Sequence, residues 1–357
     1  MRVLMLVQQM DERDWLRAFI VTWVRALAAH VERLDVLTLE HGEAWLPDNV
    51  YVRSLGKEQG KNRARELLNF HRGMMALAPH ADVIFSHMTP RYALLAAPYA
   101  VLFRKRQVLW FTHRNPSRQV RLAMPFLWRA VTAAPDSFPV QSPKVRALGH
   151  GIDAGFFAPD DTPKDAPPSV IHVSRLMPIK HQATLIRALA QLPDAQAVFV
   201  GDVPTGQEGY AGYADSLKAL AAELRVADRV TFTGGLLAPD VRDAYRRATV
   251  AVNLSPPGLF DKAALESMAS GVPTIVSTHA FDALLGESPG HFRIHGPEDV
   301  DGLAAKLRDL LALSADERTA LGLVQRERVI EAHSLDQLML RLVRLFETGE
   351  TKVTSDE

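Results

Sequence analysis

Apolar positions in this chain come in blocks. Short continuous apolar runs, which suit strands buried on both faces, are followed by longer stretches with apolar residues at helical spacing. The first run, Met1-Arg-Val-Leu-Met-Leu-Val7, opens a series that predicts strands near 2–7, 34–39, 50–54, 82–86, 107–111, 130–133 and 138–140, with helices between several of them. A second series predicts strands near 170–173, 196–200, 229–232, 249–254, 273–277 and 291–294. Its helices are expected near 184–192, 213–225, 240–247, 263–270 and 299–312. Such alternation points to doubly wound α/β sheets, and two series in tandem imply two domains with a cleft between them.

The polar, proline-rich Asp160-Asp-Thr-Pro-Lys-Asp-Ala-Pro-Pro168 marks the boundary. The expected division is an N-terminal domain over 1–155, a linker over 156–168 and a C-terminal domain over 169–334. A last helix over 335–348 and a frayed polar tail over 349–357 complete it. A chain of 357 residues, 47% hydrophobic, exceeds one comfortable core, in keeping with two domains.

Composition narrows the chemistry. Cysteine is absent, which excludes disulfides, thiolate metal sites and thiol nucleophiles and fits a cytoplasmic protein. Met1–Val7 is too short for a secretory core, and no apolar run approaches the roughly 20 residues that cross a bilayer. The net charge of zero hides a split. Residues 1–150 hold 21 Lys and Arg against 12 Asp and Glu, and the remainder holds 20 against 29. Bases cluster at Lys57 to Arg65, at Arg104-Lys-Arg106, and at Arg114, Arg118, Arg121 and Arg129 among Leu122, Met124, Phe126, Leu127 and Trp128. Bases interleaved with bulky apolar groups suit an anionic membrane surface, a phosphate-bearing acceptor or simply a solvated face. Nucleic acid is disfavoured, because the acidic half would repel it.

Two strand-loop-helix units in the second half carry polar groups where a core wants none. Val170-Ile-His-Val-Ser174 reads as a strand, and Arg175 and Lys180 lie in the loop that follows. A guanidinium fork and an ammonium leaving one strand end together suit a diphosphate. Further on, Asn253-Leu-Ser-Pro-Pro closes a strand, and Gly258-Leu-Phe-Asp-Lys-Ala-Ala-Leu-Glu266 turns into a helix that Gly271 and Pro273 end. Carboxyl edges of α/β sheets bind ligands, and helix starts offer N–H groups to phosphates. Taken alone, Glu266 reads as a carboxylate favoured by the helix dipole, and the cationic loop in the same sheet is what turns the reading toward a ligand. Asp299-Val-Asp301 reads as a helix cap rather than a metal pair, so no metal site is predicted. Gly206, Gly209 and Gly212 read as a mobile loop, and His113 ends an apolar strand.

The ordered series Val173-Ser-Arg175-Leu-Met-Pro-Ile-Lys180, Val198-Phe-Val-Gly201-Asp202, Asp228-Arg-Val-Thr-Phe-Thr-Gly234, Ala244-Tyr-Arg-Arg-Ala248 and Leu265-Glu266-Ser-Met-Ala269-Ser-Gly271-Val-Pro273 resembles the family 4 glycosyltransferases of the GT-B fold. Trp110-Phe-Thr-His113 and Gly149-His-Gly-Ile-Asp153 are similar to that family's acceptor-side histidine and interdomain segments. The resemblance implies two Rossmann-like domains facing a central cleft. It also implies retaining transfer of a sugar from a nucleotide diphosphate donor to a glycan, lipid-linked or other hydroxyl acceptor. No cofactor and no metal are expected.

By this resemblance Arg175 and Lys180 meet the diphosphate, with backbone N–H groups around Phe260 to Ala263 and with Lys262 beside them. Gly201 and Gly234 lie along the donor, Glu266 accepts from the ribose, and His113 contacts the donor sugar or the reacting region. The final helix packs back on the first domain. One departure matters: the family places a first glutamate where this chain has Gly258, and Gly-Phe-Gly after it is here Leu259-Phe260-Asp261. Asp261 is therefore the candidate replacement for a sugar contact. A nucleotide-sugar binder without turnover and a GT-B epimerase are the alternatives.

Overall fold

The structure, a computed structural model, describes residues 1–14, 17–112, 117–204, 210, 212–286 and 289–350. The chain forms two compact units, one of Met1–Gly151 with Leu335–Glu357 and the other of Ile152–Ser334.

In the first unit the strands are β1 (Arg2–Met10), β2 (Arg33–His41), β3 (Val50–Ser54), β4 (Val83–His87), β5 (Arg106–Trp110), β6 (Arg129–Thr132) and β7 (Val145–Ala147). They form one sheet in the order β3-β2-β1-β4-β5-β6-β7, with every neighbouring pair parallel. The helices α1 (Phe19–Ala28), α2 (Arg63–Leu77), α3 (Pro90–Leu102) and α4 (Arg118–Ala123) connect them. A parallel sheet sandwiched by helices buries both faces, which is why Val3 to Val7 are all inaccessible. Leu4, Leu6 and Ile84 pack against Phe70 and Met74 of α2 and against Ala96 of α3.

The second unit repeats the plan with β8 (Ser169–Val173), β9 (Gln196–Val200), β10 (Val230–Phe232), β11 (Val250–Asn253) and β12 (Thr274–Val276), in the order β10-β9-β8-β11-β12. These pairs too are parallel. Its helices are α5 (Gln182–Leu189), α6 (Tyr213–Glu223), α7 (Ala238–Arg247), α8 (Lys262–Ala269), α9 (Val300–Ala312) and α10 (Ala315–His333). The last helix, α11 (Leu335–Thr348), belongs to the first unit. There Phe346 meets Phe85 of β4 edge to face at 5.3 Å between ring centroids.

Three sequence expectations are corrected. Residues 138–140 form no strand, because Pro139 has no N–H to give a ladder and Pro135–Ser137 is a 3-10 turn. The seventh strand is instead Val145–Ala147, paired to β6. Residues 291–294 contribute only an isolated bridge, Val276 to Arg293. The 19-residue α10 was not anticipated: its few buried positions, Gly322, Gln325 and Val329, include no apolar stripe to betray it. A Cβ at Gly322 would lie 2.0 Å from the Gly271 carbonyl oxygen, so glycine lets α10 rest directly on the turn after α8. From there Gln325 Oε1 accepts from the Thr274 N–H at 2.9 Å and its Nε2 donates to the Thr274 carbonyl at 3.3 Å, closing the open edge of β12.

The proline-rich stretch lies wholly inside the second unit, since the chain crosses between the units at Gly151 and Ile152. Arg246 and Arg247 fasten it, through Arg246 Nε to the Ala158 carbonyl at 3.0 Å and the Asp165 N–H to the Arg247 carbonyl at 3.0 Å.

Candidate functional site

In the second sheet the strand order reverses between β8 and β11, and each strand leads out at that point toward its own helix. Such a switch point leaves a crevice at the carboxyl ends of the two strands. The loop after β8 carries Arg175 and ends in a 3-10 turn, Pro178–Lys180, while the loop after β11 carries Ser255 to Asp261 and leads into α8. The topology thus brings together residues about 80 positions apart.

Lys180 is buried, with 9% of its surface exposed. Its ammonium donates to the Asp261 carboxylate and, at 3.2 Å, to Ser255 Oγ. The same oxygen, Asp261 Oδ2, also accepts from Ser255 Oγ and from Asn253 Nδ2 at 3.2 Å. Burial would push the Asp261 carboxyl up, but the Lys180 charge and these hydrogen bonds outweigh it and hold the group below the usual carboxylate range. The ammonium is therefore neutralised in the ligand-free protein. Arg175 is exposed, and its guanidinium makes no hydrogen bond or ion pair shown among the described residues.

Beneath the loop lies a chain of buried polar groups. His172 Nε2 donates to the Lys180 carbonyl at 3.1 Å, and Ser174 Oγ donates to His172 Nδ1 at 3.1 Å. Gln182 Nε2 donates to Ser174 Oγ at 3.0 Å and to the Arg175 carbonyl at 2.9 Å, and Tyr213 donates to Gln182 Oε1 at 3.2 Å. Burial, helped by the nearby Lys180 charge, brings the His172 pKa down to about 4, so the ring stays neutral with its proton on Nε2. The carbonyls of both proposed phosphate ligands are thereby fixed from below.

Gly201 and Gly234 meet as neighbours, with the Gly201 N–H donating to the Gly234 carbonyl at 2.8 Å. A Cβ on Gly201 would stand 2.1 Å from the Ser174 carbonyl oxygen, so only glycine lets the loops after β8 and β9 approach so closely. Glu266 pairs with Lys262 one helical turn earlier at 2.7 Å. Phe260 packs on Phe281 and His333, at 4.7 and 5.0 Å between centroids, while Ala263 gives its carbonyl to buried Tyr245 at 2.9 Å. Gly258 has φ +81°, where a glutamate side chain would be strained. Asp261 starts α8 but makes no side-chain cap. Asp299, in contrast, caps α9 by accepting from the Gly302 N–H at 2.9 Å.

The structure brings Lys180 and Asp261 into contact and sets Arg175 on the same loop as Lys180, with Lys262 and Glu266 on the adjoining helix. His113, Gly206 and Gly209 fall outside the described residues. Asn253, Ser255, His172 and Gln182 were missed as site members. The available signal was a run of polar residues closing two otherwise apolar strands.

In the first unit the order reverses between β1 and β4, and a cavity of about 290 Å³ opens there. Gln8, Arg63, Glu66, Thr89, Arg91 and Tyr92 are among its polar lining residues. Burial holds the Tyr92 phenol protonated, with a pKa pushed up to about 12. The bases around this unit are only partly free. Arg106 donates to the Phe346 and Glu347 carbonyls, Arg129 to that of Gly349, and Arg65 to those of Gly56 and Gly60.

Two doubly wound, Rossmann-like units in one chain define the GT-B class of α/β proteins. Residues 167–313, in the second unit, match the family described as glycosyl transferases group 1. HepE of Anabaena, solved in complex with UDP and glucose, superposes with TM-score 0.75 at 15% identity, over 98% of this chain and 100% of that one. A sucrose-phosphate synthase from Thermosynechococcus elongatus superposes with TM-score 0.75 at 19% identity, over 97% and 98%.

Among curated relatives, a D-inositol 3-phosphate glycosyltransferase of Mycolicibacterium vanbaalenii is 36% identical over 153 residues, 38% of this chain and 33% of that protein. A GDP-mannose-dependent alpha-(1-6)-phosphatidylinositol monomannoside mannosyltransferase of Mycolicibacterium smegmatis is 32% identical over 192 residues, 46% and 47% of the two chains. The match spans about a third of the length of the first of these relatives.

Proposed function

We propose that this protein is a retaining, metal-independent glycosyltransferase that moves a sugar from a nucleotide diphosphate donor to an acceptor hydroxyl. The observation that carries the reading is the cluster at the second switch point, where Lys180 meets Asp261 and Arg175 lies on the same loop, at the carboxyl edge of the stretch that matches the group 1 family. The chemical demand is the departure of an anionic diphosphate, and preorganised cations lower that barrier most directly. Arg175 offers an uncommitted guanidinium, while Lys180 supplies a charge that is neutralised at rest and rigidly placed. Lys262 stands beside them, and Glu266 takes the ribose hydroxyls. Retention and the role of His113 rest on the family resemblance. Gly258 favours one alternative, a binder without turnover.

The acceptor is proposed to enter the cavity at Gln8, Arg63, Thr89 and Arg91, whose amide, hydroxyl and guanidinium groups suit a polyol bearing phosphate. The inositol phosphate and phosphatidylinositol mannoside named for the relatives above belong to that chemical class. A lipid-linked acceptor fits a peripheral place on an anionic membrane, on the cytoplasmic side. Val101, Leu102, Leu122 and Phe126 are exposed large apolar residues near Arg104, Arg118 and Arg121. No helix among the described residues is long and apolar enough to cross a membrane.

The test is release of free nucleotide diphosphate from a panel of nucleotide sugars with polyol phosphate or glycolipid acceptors. Arg175→Ala and Lys180→Ala should each lower turnover about 10²- to 10³-fold with the fold intact. Full activity in either folded variant removes that residue from the site. Vesicles containing anionic lipid should bind the protein at low salt and release it as salt screens charges over about 8 Å. Equal, weak binding to neutral and anionic vesicles refutes the membrane assignment.

A further inference from the structure

The second unit has another charged pocket, at the opposite edge of its sheet. It has a volume of about 110 Å³ and is lined in part by Asp160, Lys164, Thr249, Arg246, Pro273 and Arg318. Thr249 and Pro273 immediately precede β11 and β12, so the pocket lies at the amino ends of these strands. Asn253 and Ser255 lie at the carboxyl side of β11, about 13 Å away across a four-residue strand. The two sites do not overlap.

The cations are held in place by groups that leave charge to spare. Arg318 Nη1 donates to the closing carbonyls of α9, including Leu311 at 3.2 Å. Arg246 Nη1 meets Asp160 at 2.8 Å, and Lys164 Nζ donates to the Arg246 carbonyl at 2.9 Å. Carbonyl partners fix a cation without neutralising it. Arg246 also reaches Asp243 at 3.6 Å, but Arg242 holds that carboxylate at 2.9 Å. Asp165 lies at 4.0 Å from Arg247, and Glu317 is engaged in the capping box with Ser314. Asp160 is the one carboxylate in the lining, against three cations. No hydrogen bond shown among the described residues engages Nη2 of Arg246 or Arg318. Burial lowers the Lys164 pKa, and Asp160 and Asp165 oppose that shift more than Arg318 adds to it.

We infer that this pocket binds a small tetrahedral oxyanion, phosphate or sulfate, between Lys164, Arg246 and Arg318. The volume of about 110 Å³ is enough for one such ion. Lys164 and Asp160 belong to the stretch that enters the unit from Ile152, whereas Arg246 and Arg318 belong to its body. An anion would therefore pin the entering stretch to α7 and α10.

The experiment titrates inorganic phosphate, and separately sulfate, into the full-length protein at low ionic strength, with binding followed by calorimetry and phosphorus line broadening. Saturable phosphate binding is expected, with sulfate competing. Lys164→Gln, which keeps a donor for the Arg246 carbonyl, should weaken it roughly tenfold, as expected for one lost charge-assisted hydrogen bond. Lys164→Glu should weaken it further. Binding that responds to Lys164 should persist in Arg175→Ala, which weakens phosphate only at the donor cluster. The proposal is overturned if no saturable binding occurs, or if both Lys164 variants bind as tightly as the parent.

Discussion

At the scale of the residue, the informative feature is that the site answers one of its own cations. Asp261 occupies the position where the family pattern has a small residue, and it lies against Lys180, Ser255 and Asn253 rather than capping α8. All three partners reach Oδ2, and no hydrogen bond to Oδ1 is shown among the described residues. Asp261→Ala removes both the restraint on Lys180 and the candidate sugar contact. Binding of bare nucleotide diphosphate should then change little, while sugar transfer should fall roughly 5- to 150-fold, the worth of a buried polar hydrogen bond of about 1 to 3 kcal/mol. Glu266→Ala should weaken both. Calorimetry with the nucleotide, set beside turnover, separates the cases, and equal losses for Asp261→Ala would show that Asp261 only holds Lys180. Arg175 and Lys180 were legible as candidates because polar residues that follow an apolar strand stand out, and Asp261 and Glu266 through the family resemblance. The support was not: His172 lies inside a strand, where a sequence shows a polar residue but not the carbonyl it meets.

At the scale of the element, strands with continuous apolar runs were readable, and the errors fell where structure rests on something other than periodicity. The helix α10 docks through a glycine and a glutamine, and the expected strand at 138–140 failed on a proline. The strand β4 hides another non-periodic feature at its end. His87 is buried against the rings of Trp23 and Trp110, at 4.6 and 6.4 Å between centroids, and neither ring nitrogen has a hydrogen-bond partner among the described residues. Burial lowers its pKa to about 3. The folded state keeps this histidine neutral while the unfolded chain protonates it near 6.5, so stability present above that value is lost as pH falls toward 3. At pH 5 the loss amounts to about 2 kcal/mol. His87→Leu should reduce the drop in stability between pH 7.5 and 5 by that amount in urea unfolding of the first unit. An unchanged drop would place the acid sensitivity of the first unit elsewhere; His172, whose pKa of about 4 gives the same sign, should act in the same way on the second unit.

At the scale of the whole molecule, the chain leaves the first unit at Gly151 and returns to it at Leu335, so one unit is continuous and the other is not. Tandem α/β series made the two sheets legible from sequence. The crossing point was not, because the proline-rich stretch that looks like a linker is fastened to the second unit by Arg246 and Arg247. The return has an energetic consequence. In α11, Leu335, Leu338, Met339, Leu342, Leu345 and Phe346 are buried, and each apolar side chain of this kind contributes about 1.5–3 kcal/mol when removed from water. Their sum matches or exceeds the net stability of a typical domain, about 5–15 kcal/mol. A chain ended after Ser334 should therefore lose the cooperative unfolding of the first unit and expose Phe85, which packs on Phe346, and Trp23, which with Leu338 lies against Gly151. The second unit retains Arg175, Lys180, Asp261 and their supporting chain and should keep its own thermal transition, raised by nucleotide diphosphate through mass action. Calorimetric scans of the full and shortened chains, with and without nucleotide, give the answer. Loss of the nucleotide-dependent transition on truncation would mean that the second unit cannot hold its site alone.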